Sequence, residues 1–306
     1  MRQTKSAVVI MSMYNDASHA KLAINSCLNQ KNIVGIDIRI VVVDDGSDNG
    51  SFEEIESTYR EEKSVELHRI EHGERGIARA YAFKKAYEGK FDYLVIIDSD
   101  MKLKEDLIST AIRRSVENKI ESFVVPEIPY SNSNNFYTKV KIFERQVLND
   151  AGETLDESSI EAARFWSRAA YDISGGIDPN QIAFEEIQPT IRYREKGGKV
   201  MRLIGTGLFH DEKHVTLHSI LKKKYYYFKQ MNKTLKAEES GDKKAFKRWY
   251  FFRPVLYRKD NLKKYLRHPL LFLGMIWMYI LLTITAVIAL LKTRALNTSN
   301  EKKKTA

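Results

Sequence analysis

A chain of 306 residues, 43% of them hydrophobic, can bury one sizeable core with a small appendage and lies far from the composition of disordered proteins. Its single cysteine, Cys27, excludes an intramolecular disulfide and a cysteine-rich metal site, in keeping with a reducing compartment. The formal charge of +10 is concentrated rather than spread: Lys243 to Arg267 holds ten Lys/Arg against only Asp260, a net of +9, the residues after it add +4, and the remainder carries −3. A mildly acidic domain followed by a basic, aromatic segment argues against nucleic acid and for an anionic membrane surface as partner.

Along the first half, short apolar β-branched runs alternate with helical periodicity, the pattern of a mostly parallel sheet covered by helices. The spacing predicts a strand at Ala7–Met13 and a helix at Ala17–Gln30, in which Cys27 is a packing residue. A strand at Asp37–Val43, a helix at Phe52–Glu62, a strand at Val65–Ile70 and a helix at Gly76–Tyr87 follow. Then come a strand at Tyr93–Ile97, a helix at Glu105–Asn118 and a strand at Ser122–Val125. The second half is less regular. It offers a polar stretch from Tyr130 to Asn135, a helix near Phe136–Asn149, a short strand near Arg164–Trp166 and the turn Ser174-Gly175-Gly176. A helix near Phe184–Lys196 and a strand at Val200–Ile204 close this part.

From Thr216 to Arg267 the chain has basic-aromatic helices, with Lys222-Lys223-Lys224-Tyr225-Tyr226-Tyr227 and Arg248-Trp249-Tyr250-Phe251-Phe252. Lysine stems and aromatic rings both suit a bilayer headgroup region, although a solvated helix face has the same composition. Pro269 to Leu291 is 23 residues without a charge. At about 1.5 Å per residue such a helix crosses the roughly 30 Å hydrocarbon layer, and a buried core helix is seldom apolar on every face. Ala7 to Met13 is too short for a signal-peptide core. The larger Lys/Arg cluster precedes the span, so the expected topology is a single pass in the cell membrane with the preceding domain cytoplasmic. Asn297–Ala306 reads as disordered.

Open α/β sheets bind ligands at the carboxyl ends of their strands, and there the polar clusters fall: Tyr14-Asn15-Asp16, Asp44-Asp45-Gly46-Ser47 and Asp98-Ser99-Asp100. An Asp-x-Asp at such an edge can hold a hard divalent ion, Mg²⁺ or Mn²⁺, that bridges a diphosphate. Aspartates also cap turns, so the tripeptide alone does not decide. Asp44 and Asp45 share that ambiguity: they fit a glycine-containing turn, and equally a base edge and ribose hydroxyls.

In order and spacing, Ser12-Met13-Tyr14-Asn15-Asp16, Val42-Val43-Asp44-Asp45-Gly46-Ser47 and Ile97-Asp98-Ser99-Asp100 resemble family 2 glycosyltransferases, whose fold is GT-A. The likeness continues through Ser174-Gly175-Gly176-Ile177-Asp178, similar to the family's acceptor-side turn, and Phe184-Glu185-Glu186, similar to its acidic catalytic motif. Arg192 and Gly197 are spaced after Glu186 as in the family's helix, and His210 matches the C-terminal metal-binding histidine of GT-A enzymes. Three positions depart from the pattern: Met13 replaces a usual proline, Glu186 stands where the base is commonly aspartate, and Gln188 stands where a further acid is common.

The resemblance implies an α/β, GT-A domain over 1–215, and charge and hydropathy add basic membrane-proximal helices over 216–267, a transmembrane helix over 268–292 and a short tail over 293–306. It implies an inverting, metal-dependent enzyme that moves a sugar from a nucleotide-sugar, a UDP-sugar favoured over a GDP-sugar, to a hydroxyl of a lipid-linked or cell-surface glycan precursor. Tyr14, Asn15, Asp16, Asp44, Asp45, Arg79, Asp98 and Ser99 would bind the donor, and Asp98, Asp100 and His210 the metal. Gly175, Gly176 and Glu185 would lie on the acceptor side, with Glu186 as general base. Arg79 matches a family segment near the diphosphate, and a helix-surface salt bridge is the alternative for it. An isolated His210 would ordinarily be a surface histidine.

Two other functions stay open. Polyprenyl-phosphate glycosyltransferases typically have Asp-Ala-Asp-Leu before a proline-containing segment, whereas this chain has Asp98-Ser99-Asp100-Met101-Lys102, and a phosphate acceptor needs no base. A catalytically dead membrane scaffold would have no reason to keep every acidic site. A dinucleotide-binding dehydrogenase is disfavoured because no Gly-x-Gly-x-x-Gly follows the first strand.

Overall fold

The computed structural model describes residues 4–73, 75–149, 161–177, 187–236 and 250–304. The chain divides into two compact units, Met1–Pro129 with Ala151–Asp211, and Tyr130–Asp150 with Glu212–Ala306.

The first unit is built on a seven-stranded sheet. Its parallel half contains β1 (Lys5–Met13), β2 (Ile36–Asp44), β3 (Val65–Arg69) and β4 (Tyr93–Ile96) in the order β3-β2-β1-β4. The β-branched runs are buried on both faces, as parallel strands sandwiched between helices require. Ala7, Val9, Met11 and Met13 point into one apolar layer and Val8 and Ile10 into the other. Helix α1 (Ala17–Leu28) contributes Ala20, Ala23, Ile24 and Cys27 to the first layer, together with α2 (Ser51–Tyr59) and α4 (Leu107–Asn118). Helix α3 (Arg75–Glu88) lays Ala78, Ala82, Phe83 and Ala86 against the second. Small residues at these positions let the helices approach the sheet closely, and each large aliphatic side chain buried there contributes about 1.5–3 kcal/mol. Burial pushes the Cys27 thiol up to about 12, so it is an inert packing group.

The sheet continues through β8 (Arg164–Ser167), β6 (Ser122–Val124) and β9 (Val200–Arg202). β8 is antiparallel to both β4 and β6, while β9 runs parallel to β6. The register pairs Met13 with Asp44, Asp44 with Arg69, Ile96 with Arg164, and Val124 with both Arg164 and Arg202. One edge therefore collects the ends of β1, β2, β4 and β6 and the beginning of β8. A second sheet, in the order β5-β10-β7, joins β5 (Met101–Leu103), β10 (Leu208–Asp211) and β7 (Glu127–Tyr130). Helices α6 (Arg168–Ser174) and α7 (Ile187–Glu195) complete the unit.

The second unit holds α5 (Phe136–Asn149), α8 (Leu217–Lys236), α9 (Lys259–Arg267) and α10 (Pro269–Lys304). Helix α10 packs on α5 and α8, and a Cβ on Gly274 would come within 2.7 Å of Val140, so glycine admits the close crossing. Pro269–Lys292 is long and apolar enough, by length and composition, to cross a membrane. Leu270, Leu273, Trp277, Ile280, Ile284 and Leu291 on it are exposed.

Several expectations need correction. The helix does not give way to disorder at Asn297: its backbone is helical through Lys304, since the segment contains no proline or glycine to break it and terminal lysines favour a helix C-terminus. The polar stretch expected from Tyr130 begins on the last residue of β7, and Leu208–Asp211 forms a strand that periodicity did not expose. Phe184, Glu185 and Glu186, at the start of the helix expected over Phe184–Lys196, lie outside the described residues.

Candidate active site

The loops after β1 and β2 are tied together. Asn15, at a φ of 54°, donates its backbone N–H to Ser47 Oγ at 2.8 Å and its side-chain amide to Asp48 Oδ1 at 2.8 Å. Asp48 returns a backbone bond to Asn15 Oδ1 at 3.0 Å. Asp44 is fully buried and organises this turn: its carboxylate accepts from the Ser47 N–H at 3.0 Å and from the Ser47 hydroxyl, while Arg69 Nε lies 3.4 Å away. Gly46 has a φ of +72°, and a Cβ there would sit 2.6 Å from the His72 backbone nitrogen; only glycine lets the two loops meet.

That approach brings His72 to Asp45. Asp45 Oδ1 accepts the Gly73 N–H at 3.1 Å and Oδ2 is 3.2 Å from His72 Nδ1. Burial raises the Asp45 carboxyl above its ordinary value, against the lowering pull of the Gly73 amide and His72. His72 stacks on Tyr14 with ring centroids 4.2 Å apart, and Tyr14 remains 43% exposed. A flat aromatic surface thus stands beside a buried hydrogen-bond acceptor. Asp16 immediately precedes α1, and its Oδ1 is 2.6 Å from His19 Nδ1, while His19 Nε2 lies 3.4 Å from Asp211 Oδ2.

Asp98-Ser99-Asp100 forms the turn between β4 and β5, closed by the Met101 N–H on the Asp98 carbonyl at 3.1 Å. Arg79 is only 2% exposed and its guanidinium pairs with Asp98 Oδ1, so the surface salt bridge considered for it does not hold: α3 turns this arginine inward to the sheet edge. Asp100 faces β10, where His210 Nε2 lies 3.5 Å from its Oδ1. His210, at 8% exposure, is not a surface histidine. Its Nδ1 is 2.8 Å from Glu127 Oε2. Among the described residues no three His, Cys, Asp or Glu side chains are grouped closely enough to cage a metal. The donor pair Asp100 and His210 nevertheless suits an ion that takes few protein ligands and completes its shell with phosphate oxygens and water.

Gly175 and Gly176 have φ of 77° and 68°, and Arg192 holds their turn by donating to the Ser174 carbonyl at 2.7 Å and to the Gly176 carbonyl. They line a cavity of about 270 Å³ with Phe83, Tyr87, Tyr171 and Asp172, which contains none of the strand-end carboxylates. The structure therefore gathers Tyr14, Asn15, Asp16, Asp44, Asp45, Arg79, Asp98, Ser99, Asp100 and His210 along the carboxyl edge of the parallel strands, with Gly175 and Gly176 on a separate cavity. Sequence reasoning missed His72, Glu127, His19 and Asp211. Asp211 directly follows His210 and the other three stand in no local motif; each reaches the edge only through the packing of its own element.

A mainly parallel sheet with acidic strand ends, a loop-borne aromatic platform and an Asp-x-Asp turn agrees with the GT-A fold that the motifs imply. The sequence matches glycosyl transferase family 2 over residues 8–201, and the chain belongs to that family. Its fold is similar to S. aureus TarS (TM-score 0.50, 14% identity, covering 74% of this chain and 39% of that one), so this chain spans well under half of that protein's length. It is similar to S. aureus TarS 1-349 in complex with UDP (TM-score 0.50, 13% identity, covering 83% and 72%). It is also similar to the mannosyltransferase PcManGT from Pyrobaculum calidifontis in complex with GDP-Man and Mn²⁺ (TM-score 0.52, 14% identity, covering 98% and 80%). No curated protein sequence matches the chain. At these identities the structural likeness is one of fold.

Proposed function

We propose that this glycosyltransferase moves a sugar from a nucleotide-sugar, a UDP-sugar in preference to a GDP-sugar, to a hydroxyl of a lipid-linked or cell-surface glycan precursor, with inversion at the anomeric carbon. The observation that carries this reading is the convergence of the Tyr14–His72 platform, Asp45, Arg79–Asp98 and Asp100–His210 at one sheet edge. The rings offer a stacking face to a base and Asp45 an acceptor for its N–H edge, while Asp44, Asn15 and Asp16 hold the loop. Arg79 supplies a buried positive charge beside the position of the diphosphate. Asp98, Asp100 and His210 would hold Mg²⁺ or Mn²⁺. Such an ion neutralises the charge developing on the diphosphate leaving group. Glu186 accepts the proton of the attacking hydroxyl, with Glu185, Gly175 and Gly176 placed on the acceptor side by family resemblance. UDP with one structural neighbour and GDP-Man with Mn²⁺ on another support the donor class. Incubating membranes that contain the protein with a panel of nucleotide-sugars should show cleavage of one donor with Mn²⁺ and little in excess chelator. Turnover that chelation leaves untouched would remove the metal from the mechanism.

In the same reading residues 1–215 are the transferase domain, 216–267 lie along the membrane surface, 268–292 span the cell membrane and 293–306 emerge beyond it. Helix α9 supports the interfacial placement: Leu262 and Leu266 are 52% and 82% exposed beside Lys259, Lys263 and Arg267, a combination that suits an anionic headgroup layer. With the basic cluster before the span, the catalytic domain faces the cytoplasm. Protease added to intact cells should leave that domain whole; its digestion would reverse the orientation.

A further inference from the structure

We infer that Glu127 is a positioning residue that fixes the tautomer of His210 and thereby readies its Nε2 for the divalent cation; this rests on the metal reading above. Glu127 opens β7 beside the strand carrying His210 and is 3% exposed. Its Oε1 accepts the backbone N–H groups of Ala162 and Ala163, the latter at 3.2 Å, and its Oε2 lies 2.8 Å from His210 Nδ1. Its own N–H donates to Glu161 Oε1 at 3.1 Å, and Glu161 is anchored by Arg202, with contacts of 2.7 and 3.0 Å. The residue is thus held from both its backbone and its side chain.

A carboxylate oxygen can only accept, so the proton of the neutral imidazole sits on Nδ1 and the lone pair on Nε2. In that neutral ring Nε2 faces Asp100 Oδ1 across 3.5 Å, longer than an ordinary N–H···O bond. The Asp211 N–H donates to the Asp100 carbonyl at 3.1 Å, so β10 and the Asp-x-Asp turn are joined through the backbone and the two side chains keep their register. Two acceptors held face to face suit a shared cation. A carboxylate behind a ligating histidine also raises the basicity of the ligating nitrogen.

Glu127→Gln separates this role from packing. Its carbonyl would stay on the Ala162 and Ala163 amides, which leaves its NH₂ facing Nδ1. The imidazole then has to accept there and carry its proton on Nε2, pointing at Asp100. The ¹⁵N spectrum of histidine-labelled, metal-free protein should show the His210 tautomer reversed. Calorimetry with UDP or GDP should show Mn²⁺ affinity reduced roughly 10- to 100-fold, with thermal unfolding close to wild type. Glu127→Asp, which keeps an acceptor, should restore the Nδ1–H signature. A wild-type tautomer in Glu127→Gln, or undiminished Mn²⁺ affinity, overturns the inference while metal binding stands. Failure of the wild-type protein to bind Mn²⁺ overturns the metal reading and this inference with it.

Discussion

Glu186→Gln is expected to lower turnover roughly 10²- to 10⁴-fold and to leave donor affinity almost unchanged. Glutamine keeps the size and much of the hydrogen bonding of the side chain but cannot take the proton of an acceptor hydroxyl. Glu185→Gln should act differently, on binding or positioning more than on proton transfer, because the family resemblance assigns the base to Glu186 and the acceptor side to Glu185. If both acids merely favour a helix N-terminus, neither change costs more than about 1 kcal/mol of stability and turnover stays near normal. Turnover and donor affinity measured on both variants separate these cases. Near-normal turnover in Glu186→Gln would remove the base and revive a polyprenyl-phosphate acceptor, which is already anionic.

Asp100→Ala is expected to eliminate Mn²⁺-dependent binding of UDP or GDP and to reduce turnover on the order of 10²- to 10³-fold, the cost of losing one preorganised electrostatic contact. The change deletes the carboxylate that faces His210 and that the proposed ion would use, but empties no core, since the side chain keeps 22% of its exposure. Calorimetry with and without Mn²⁺, alongside a thermal unfolding curve, tests both halves of the expectation. Unaltered affinity would reduce Asp98-Ser99-Asp100 to a turn.

The parallel half of the sheet was legible because its strands are continuous apolar runs that end in acidic turns: β1, β2 and β4 fall where Val, Ile and Met cluster, within a residue or two at their ends. The short strands β5, β7 and β10 were not legible, because a lysine, a proline or a His-Asp pair interrupts their three or four residues, whereas the equally short β6 is followed by a further apolar residue and could be read. The antiparallel direction of β8 is a property of its connection, which no local pattern encodes. The strand-end acids could be found because several lie in one ordered series of motifs. Glu127 could not: it is 83 residues from His210, and an isolated glutamate near a proline carries no signal until β7 and β10 pair.

The bonds that cross between the first two loops also limit how this enzyme can be changed. Beyond the Asn15 contacts with Ser47 and Asp48, the Asp45 N–H donates to the Met13 carbonyl at 2.9 Å, the Asn49 amide to the Asn15 carbonyl at 3.3 Å, and the Ala17 N–H to Ser51 Oγ at 3.3 Å. Residues 13–17 and 45–51 thus form one cross-laced block. Neither loop can be exchanged alone without loss of the turn, because each carries the other's hydrogen-bond partners. The transferable module is the pair, together with the glycine at position 46 that lets His72 close over it.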